Sequence, residues 1–311
     1  MNIFFAPLQG YTDAAYQRFH NEVYGGCIDC YYTPFLRVEN GALRMKDTQE
    51  VKQLYISKIN VVPQIIVKDI NDFRVLIDAI RTEGYREIDI NMGCPFPMQV
   101  KKGRGAGLIL NTDNVIEIFN EISANVDIQF SLKMRLGVDK NNQWKSLCEV
   151  LNSTPLKHIT LHPRIAKQQY KGNVDFDSFI DFYNSINHNI VYNGDITDIS
   201  QVDDLITNYP KLYGIMIGRG LLARPSMAME YKKNLIFTHQ QQMEKLLLLH
   251  TKLFHYYSSK LSGESHLLIK MKTFWDYSEP LIGRKSHKLI KKASTLAKYN
   301  EVINNMLAFV T

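Results

Sequence analysis

Two apolar rhythms alternate along the chain. Short continuous runs rich in Ile, Val, Phe and Tyr lie at Asn2 to Ala6, Cys30 to Pro34, Val61 to Val67, Glu87 to Asn91, Ile128 to Lys133, His158 to His162, Ile190 to Asn193 and Tyr213 to Ile217. Between them apolar residues recur every three or four positions, as at Ile70, Phe73, Leu76, Ile77 and Ile80, or Val115, Ile116, Ile118 and Phe119. The first rhythm suits strands buried on both faces, and the second suits amphipathic helices. Eight such strands alternating with helices predict an α/β fold, a TIM (β/α)8 barrel, over an open sheet. The run Gly103-Arg104-Gly105-Ala106-Gly107 does not argue for an open nucleotide-binding sheet. It lacks GxGxxG spacing and lies well beyond its strand.

The alternation ends after Arg224-Pro225. From Gln240 the spacing is helical throughout, with Met243, Leu246, Leu249, Leu253 and Tyr257, then Leu268, Met271, Phe274 and Trp275. The division expected is a barrel over residues 1–235 and a small all-α helical domain over 236–311. A chain of 311 residues accommodates a barrel of about 250 residues with such an appendage.

Composition narrows the class. With 45% apolar and 22% charged residues, general disorder is excluded. The opening MNIFFAPLQG is no secretory signal, and no run approaches 18 apolar residues. Four cysteines are too few for a disulfide framework. A cytoplasmic, monomeric protein with no membrane partner is expected. Cys27 and Cys30 have the spacing of a redox pair or half a zinc site, but no second pair completes one, so they are read as core thiols and no metal is expected. Charge is segregated: residues 231–311 hold 13 Lys/Arg against 5 Asp/Glu, and the first 230 hold 24 against 26. A basic excess confined to the tail suits a phosphate backbone.

In a barrel, residues at the carboxyl ends of strands face the active site. This chain places polar or glycine-rich segments there almost without exception: Pro7, Leu8 and Gln9 after the first strand, Gln64 in the third, Asn91 and Cys94 at the fourth, Lys133 and Arg135 at the fifth, and His162 and Arg164 at the sixth. Asn193-Gly194-Asp195 follows the seventh strand and Gly218-Arg219-Gly220 the eighth. That last pair of loops is the usual phosphate site of such barrels. Lys133 is directed inward, where its cation can stabilise an anionic reduced flavin. Cys94 is the candidate acid, by its position and its thiol chemistry.

Several ordered blocks resemble the tRNA-dihydrouridine synthases. They are Ala6-Pro7-Leu8-Gln9-Gly10-Tyr11-Thr12-Asp13, Asn91-Met92-Gly93-Cys94-Pro95 with Gly105-Ala106-Gly107-Leu108, Lys133-Met134-Arg135-Leu136-Gly137, His162-Pro163-Arg164 with Gln169-Tyr170-Lys171-Gly172, Asn193-Gly194-Asp195-Ile196, and Ile217-Gly218-Arg219-Gly220. The resemblance implies FMN, reduced by NADPH or NADH, and hydride transfer to C6 of a tRNA uracil, with Cys94 protonating C5. It implies that Pro7, Leu8, Gln9, Gln64, Lys133, His162, Asn193, Gly194, Asp195, Gly218 and Arg219 hold FMN. Asn91 and Arg164 would hold the extruded uracil. The short first strand and the segment Leu267 to Trp275 look most like the bacterial C-type branch, which implies uridine 16 of the D-loop. Leu8 and Gln9 depart from the family's usual residues.

Two rivals share parts of this pattern: a small-molecule FMN oxidoreductase of dihydroorotate or old-yellow type, and an RNA-binding chaperone with a vestigial barrel. The basic tail argues against the first, and the retained Cys94, Lys133 and glycine loops against the second. On a single helical wheel Arg284, Lys285, Lys288, Lys291, Lys292 and Lys298 share one face, opposite Leu289, Ile290, Ala293, Leu296 and Ala297. Lys288, Lys291 and Lys292 are thereby expected to grip tRNA phosphates.

Overall fold

All eight apolar runs form strands of one parallel sheet in the computed structural model, which describes residues 1–308. They are β1 (Asn2–Phe5), β2 (Cys30–Tyr32), β3 (Val61–Val62 and Gln64–Ile65), β4 (Glu87–Met92), β5 (Gln129–Gly137), β6 (Leu156–Ile165), β7 (Ile190–Tyr192) and β8 (Leu212–Ile217). Pro63 interrupts β3 because it has no N–H to give to the ladder. The first half of β3 pairs with β2, Tyr31 opposite Val61, and the second half with β4, Gln64 opposite Asp89. The sheet therefore returns to the strand it started from, and β1 beside β8 completes the barrel.

Two strands run further than their apolar patterns. β5 continues through Arg135 and β6 through Arg164, both almost wholly buried. A cation ends an apolar run in the sequence, but it does not end a strand when its guanidinium finds acceptors inside the barrel. After β2, Val38–Glu39 pairs with Ala42–Leu43 in a small hairpin, too short to leave a pattern.

The surrounding helices begin where short polar side chains can take the first free N–H groups. Asp13 caps α1 (Ala14–Val23), Asp69 caps α3 (Ile70–Thr82), and Asp198 caps α8 (Ile199–Asn208) with Gln201 reciprocating. Toward the amino-terminal end of the barrel, Phe4 and Tyr213 stack on His158, whose Nε2 is 3.1 Å from Tyr32 Oη. Cys27 and Cys30 are buried and free. Burial pushes the Cys30 thiol up to about 12, which makes it a packing group.

Alternation gives way to helices between α10 (Met227–Lys233) and α11 (His239–Lys260). α11, α12 (Glu264–Phe274), α13 (Glu279–Lys292) and α14 (Leu296–Ala308) follow. Residues 309–311 of the expected helical domain lie outside the described residues. Met243, Leu246, Leu249, Leu253, Tyr257, Leu268, Met271 and Trp275 are all buried, as their spacing requires. Trp275 Nε1 donates to Tyr299 Oη at 2.8 Å, and His250 Nε2 is 2.6 Å from the same oxygen.

The basic wheel survives only in part. Arg284, Lys285, Lys288, Lys291 and Lys292 share the unbroken part of α13 that follows the non-helical Gly283 (φ 78°, ψ 151°), but Ala293 ends that helix, and Leu296, Ala297 and Lys298 belong to α14. Leu289, expected to pack, is exposed. Lys291 is ion-paired with Asp276, while Lys288 and Lys292 are exposed without a partner among the described residues.

Candidate active site

A cavity of about 670 Å³ opens at the carboxyl ends of the strands. Pro7, Leu8, Gln9, Asn91, Cys94, Lys133, His162, Asn193, Gly194, Asp195, Gly218 and Arg219 all line it. Its volume is in the range of ligand pockets. Gln64 and Arg164 do not line it. Both stand behind its wall and act through residues that do.

Gln64 belongs to a buried chain of hydrogen bonds. Its Nε2 donates to Asp89 Oδ2 at 2.7 Å and its Oε1 accepts from Asn91 Nδ2 at 2.7 Å. Asn91 Oδ1 in turn accepts from the backbone N–H groups of Gly93 and Cys94 at 3.0 and 2.8 Å. Both lone pairs of the Asn91 carbonyl and one of its two N–H bonds are thus committed. The structure uses Asn91 first to shape the Cys94 loop, where the sequence reading gave it only to the uracil.

The glycine run that failed as a dinucleotide motif supports the same loop. At Gly105 (φ 59°) a Cβ would stand 2.7 Å from Cys94 Cβ, and Ala106 N–H donates to Cys94 O at 3.1 Å. Only a residue without a side chain admits that approach.

Arg164 is fully enclosed. It donates to Asp195 through both terminal nitrogens, to Gly172 O at 2.6 Å and to His162 Nε2 at 3.0 Å. So placed, the guanidinium stands outside the cavity lining and braces the loop after β7. Its effect on His162 is specific. Arginine only donates, so Nε2 must accept and the imidazole proton sits on Nδ1. Burial, followed by the charges of Arg135 and Lys133, holds the His162 pKa well below the usual value, which keeps the ring neutral. Nδ1–H is then a donor with no hydrogen-bond partner among the described residues.

The phosphate-type loops approach closely. A Cβ on Gly220 would lie 2.0 Å from Ile196 O, and one on Gly194 would lie 2.8 Å from Val174 Cγ1. Asp195 adopts φ 45° and also accepts from Arg219 at 2.7 Å. Asn193 Nδ2 donates to Met216 O at 2.7 Å, joining the loop after β7 to β8.

Lys133 has no hydrogen bond or ion pair among the described residues. It lines the cavity, and burial, aided by Arg135 and opposed by Asp89 and Cys94, lowers its pKa to about 8. Burial raises the Cys94 pKa above the ordinary thiol value, against the opposing pull of the Phe96 N–H, Arg135 and Lys133. The thiol is consequently protonated at neutral pH and able to donate.

Arg135 lines the wall from the end of its strand, while Tyr170, which no strand-end position announced, lines it as well. Arg135 donates to Gly93 O at 3.0 Å and Ile165 O at 3.1 Å. Tyr170 lies 4.5 Å from the Arg219 guanidinium and 5.4 Å from that of Arg135. Tyr277 and Pro280 also line the cavity, from the turn before α13 and its first residues. No local signal in the sequence joins them to a barrel site.

Barrel and site together define an enzyme whose carboxyl-end cavity gathers a lysine, a thiol and two closely approaching glycine loops. A dihydrouridine synthase family model matches residues 4–309. The tRNA-dihydrouridine synthase B of Pasteurella multocida is 28% identical over 228 residues, which are 72% of this chain and 66% of that protein. Probable tRNA-dihydrouridine synthases of Rickettsia conorii and Staphylococcus epidermidis are each 26% identical, over 72% and 81% of this chain and 67% and 77% of theirs. Among solved structures, the old yellow enzyme from Trypanosoma cruzi aligns with TM-score 0.55 at 10% identity, over 76% of this chain and 89% of that one. Histamine dehydrogenase from Rhizobium sp. 4-9 gives 0.58 at 12%, over 81% and 49%. These two show the shared barrel. The chain belongs to the dihydrouridine synthase family of flavin-dependent oxidoreductases.

Proposed function

We propose that this chain reduces the C5=C6 bond of a D-loop uridine in tRNA, with FMN as its flavin and NADPH as the electron source. The Lys133 ammonium in the cavity carries the reading, because a desolvated cation with no ion pair among the described residues is stabilised by an anion placed beside it. The cavity residues fit FMN. The close-approaching loops at Gly194 and Gly218 to Gly220 would take the phosphate, with Arg219 beside them. Lys133 and the His162 Nδ1–H would face the polar edge of the ring. When bound, the flavin supplies a hydride to C6 of the uracil.

The remaining chemistry belongs to the chain. Addition at C6 places negative charge toward C5 and O4, and Cys94 quenches it by giving its thiol proton to C5. The sulfur is left as a thiolate, steadied by the Phe96 N–H and by Arg135 and Lys133, until solvent returns the proton. Asn91 and Gln64 keep the thiol in place, and the base must leave its stack to enter. The C-type assignment, and with it uridine 16, rests on the short first strand and the Leu267 to Trp275 segment. No helix among the described residues is long and apolar enough to cross a membrane. A monomer working in the cytoplasm, where tRNA and NADPH meet, is part of the proposal.

The test is mapped mass spectrometry of tRNA nucleosides after incubation of unmodified transcript with enzyme and NADPH. Dihydrouridine should appear at one D-loop position. Cys94→Ala should retain flavin and its bleaching by NADPH while tRNA reduction drops by about 10² or more. Undiminished tRNA reduction by that variant refutes the role of Cys94.

A further inference from the structure

Immediately after Cys94 the chain builds a ridge that the fold does not use. Phe96 lies between Pro95 and Pro97, which hold it extended at φ −64°, ψ 123°. It is 53% exposed and Met98 is 62% exposed. Neither packs on the hydrophobic core, and Phe96 has no aromatic neighbour among the described residues. Its N–H is held by Cys94 and its side chain lines the cavity. A Phe pinned by two prolines gains little conformational freedom from solvent exposure, and burying it would remove substantial apolar surface from water.

Charge accompanies it. α4 (Pro97–Lys101) follows directly, and Lys101 and Lys102 at its far end are exposed, with no ion pair or side-chain hydrogen bond among the described residues. At 1.5 Å per helical residue they stand roughly 8–9 Å along from Phe96. Arg104, the next cation, is occupied by Asp72 at 2.7 Å. One rigid aromatic at the cavity mouth followed by two free cations is the arrangement that takes a nucleic-acid strand, stacking a base on the ring and holding its phosphates beyond it.

We infer that Phe96, with Met98 beside it, stacks a nucleotide flanking the target uridine, and that Lys101 and Lys102 hold the phosphates of the same strand. The ridge props open the gap that an extruded base leaves. Its position next to Cys94 ties recognition of the flanking nucleotide to delivery of the uracil. This inference rests on the tRNA-reducing function proposed above.

The experiment uses the full chain with its flavin, unmodified tRNA transcript, and the variants Phe96→Ala, Phe96→Trp and Lys101→Gln/Lys102→Gln. Affinity is read by fluorescence anisotropy of labelled transcript, separately from turnover. Phe96→Ala should weaken tRNA binding about ten-fold or more, the scale of one lost base–aromatic stack, and Phe96→Trp should restore it. The double Lys variant should lower the log–log salt slope by about 1.4 to 1.8. Wild-type affinity in Phe96→Ala overturns the inference, as does a raised KM for NADPH with tRNA affinity untouched. Should wild-type enzyme bind tRNA without reducing it, the proposed activity fails, while the affinity of Phe96→Ala still decides the ridge.

Discussion

Replacing Lys133 with methionine should make the flavin-free protein more stable and the enzyme worse. The wild-type chain holds an ammonium against the barrel wall with no ion pair among the described residues, and burial, with Arg135 and against the weaker pull of Asp89, takes its pKa from 10.5 to about 8. At about 1.4 kcal/mol per pH unit, keeping that charge in the folded state costs roughly 3 kcal/mol at pH 7. Methionine has similar length and no charge, so Lys133→Met should recover about 1–3 kcal/mol, the lower end if cavity water already solvates the amine. The sign follows from linkage. A base whose folded pKa is depressed carries its full penalty below about pH 8, and the penalty fades as pH rises toward 10.5, where the unfolded chain also loses the proton. Urea melts of apoprotein at pH 7, 8.5 and 10 should therefore show a variant advantage that is largest at pH 7 and shrinks upward. In holoenzyme, bleaching of the flavin by NADPH should slow, because the cation opposite the reduced ring is gone. A variant no more stable than wild type at pH 7, or an advantage that does not change with pH, refutes the claim that Lys133 is an unpaired buried charge.

Two further outcomes follow from the geometry. Gly220→Ala drives a Cβ to within 2.0 Å of Ile196 O, which must displace the loop after β7. About 1–3 kcal/mol of stability should be lost, and flavin absorbance per chain should fall with it; full flavin content would show that these loops do not hold the phosphate. Replacing Lys288, Lys291 and Lys292 together with Gln should lower the log–log salt slope of tRNA binding by about 1.4 to 1.8, the contribution of two contacts at 0.7 to 0.9 each. Lys291 is already paired with Asp276, so a drop matching three contacts, or none, would contradict this view of the surface.

Much of the architecture was legible because barrel strands and amphipathic helices leave local periodicities. Continuous apolar runs announced β1 to β8, and strand order then followed from the handed, short connections of a parallel barrel. Cys94, Lys133 and the loops at Asn193 to Asp195 and Gly218 to Gly220 could be located because strand-end positions in this fold point to one place. A chain with these residues has little freedom to put them elsewhere.

What the tertiary structure alone decided concerns partners distant in sequence. Arg164 looked like a base contact by its motif, but Asp195, His162 and Gly172 enclose it. Asn91 looked like a substrate residue, and two N–H groups of the Cys94 loop claim its carbonyl. The wheel of Lys and Arg residues assumed an unbroken helix as far as Lys298, which the ending of α13 at Ala293 divides. Tyr277 and Pro280 reach the cavity where Tyr11, just after β1, donates to Asp276 at 2.9 Å and meets the Tyr277 ring edge-on. Periodicity reports which face of an element is buried. It carries no record of which hydrogen-bond acceptor, arriving from another part of the chain, will occupy a given side chain, and in this site those acceptors determine which residues remain free to meet a substrate.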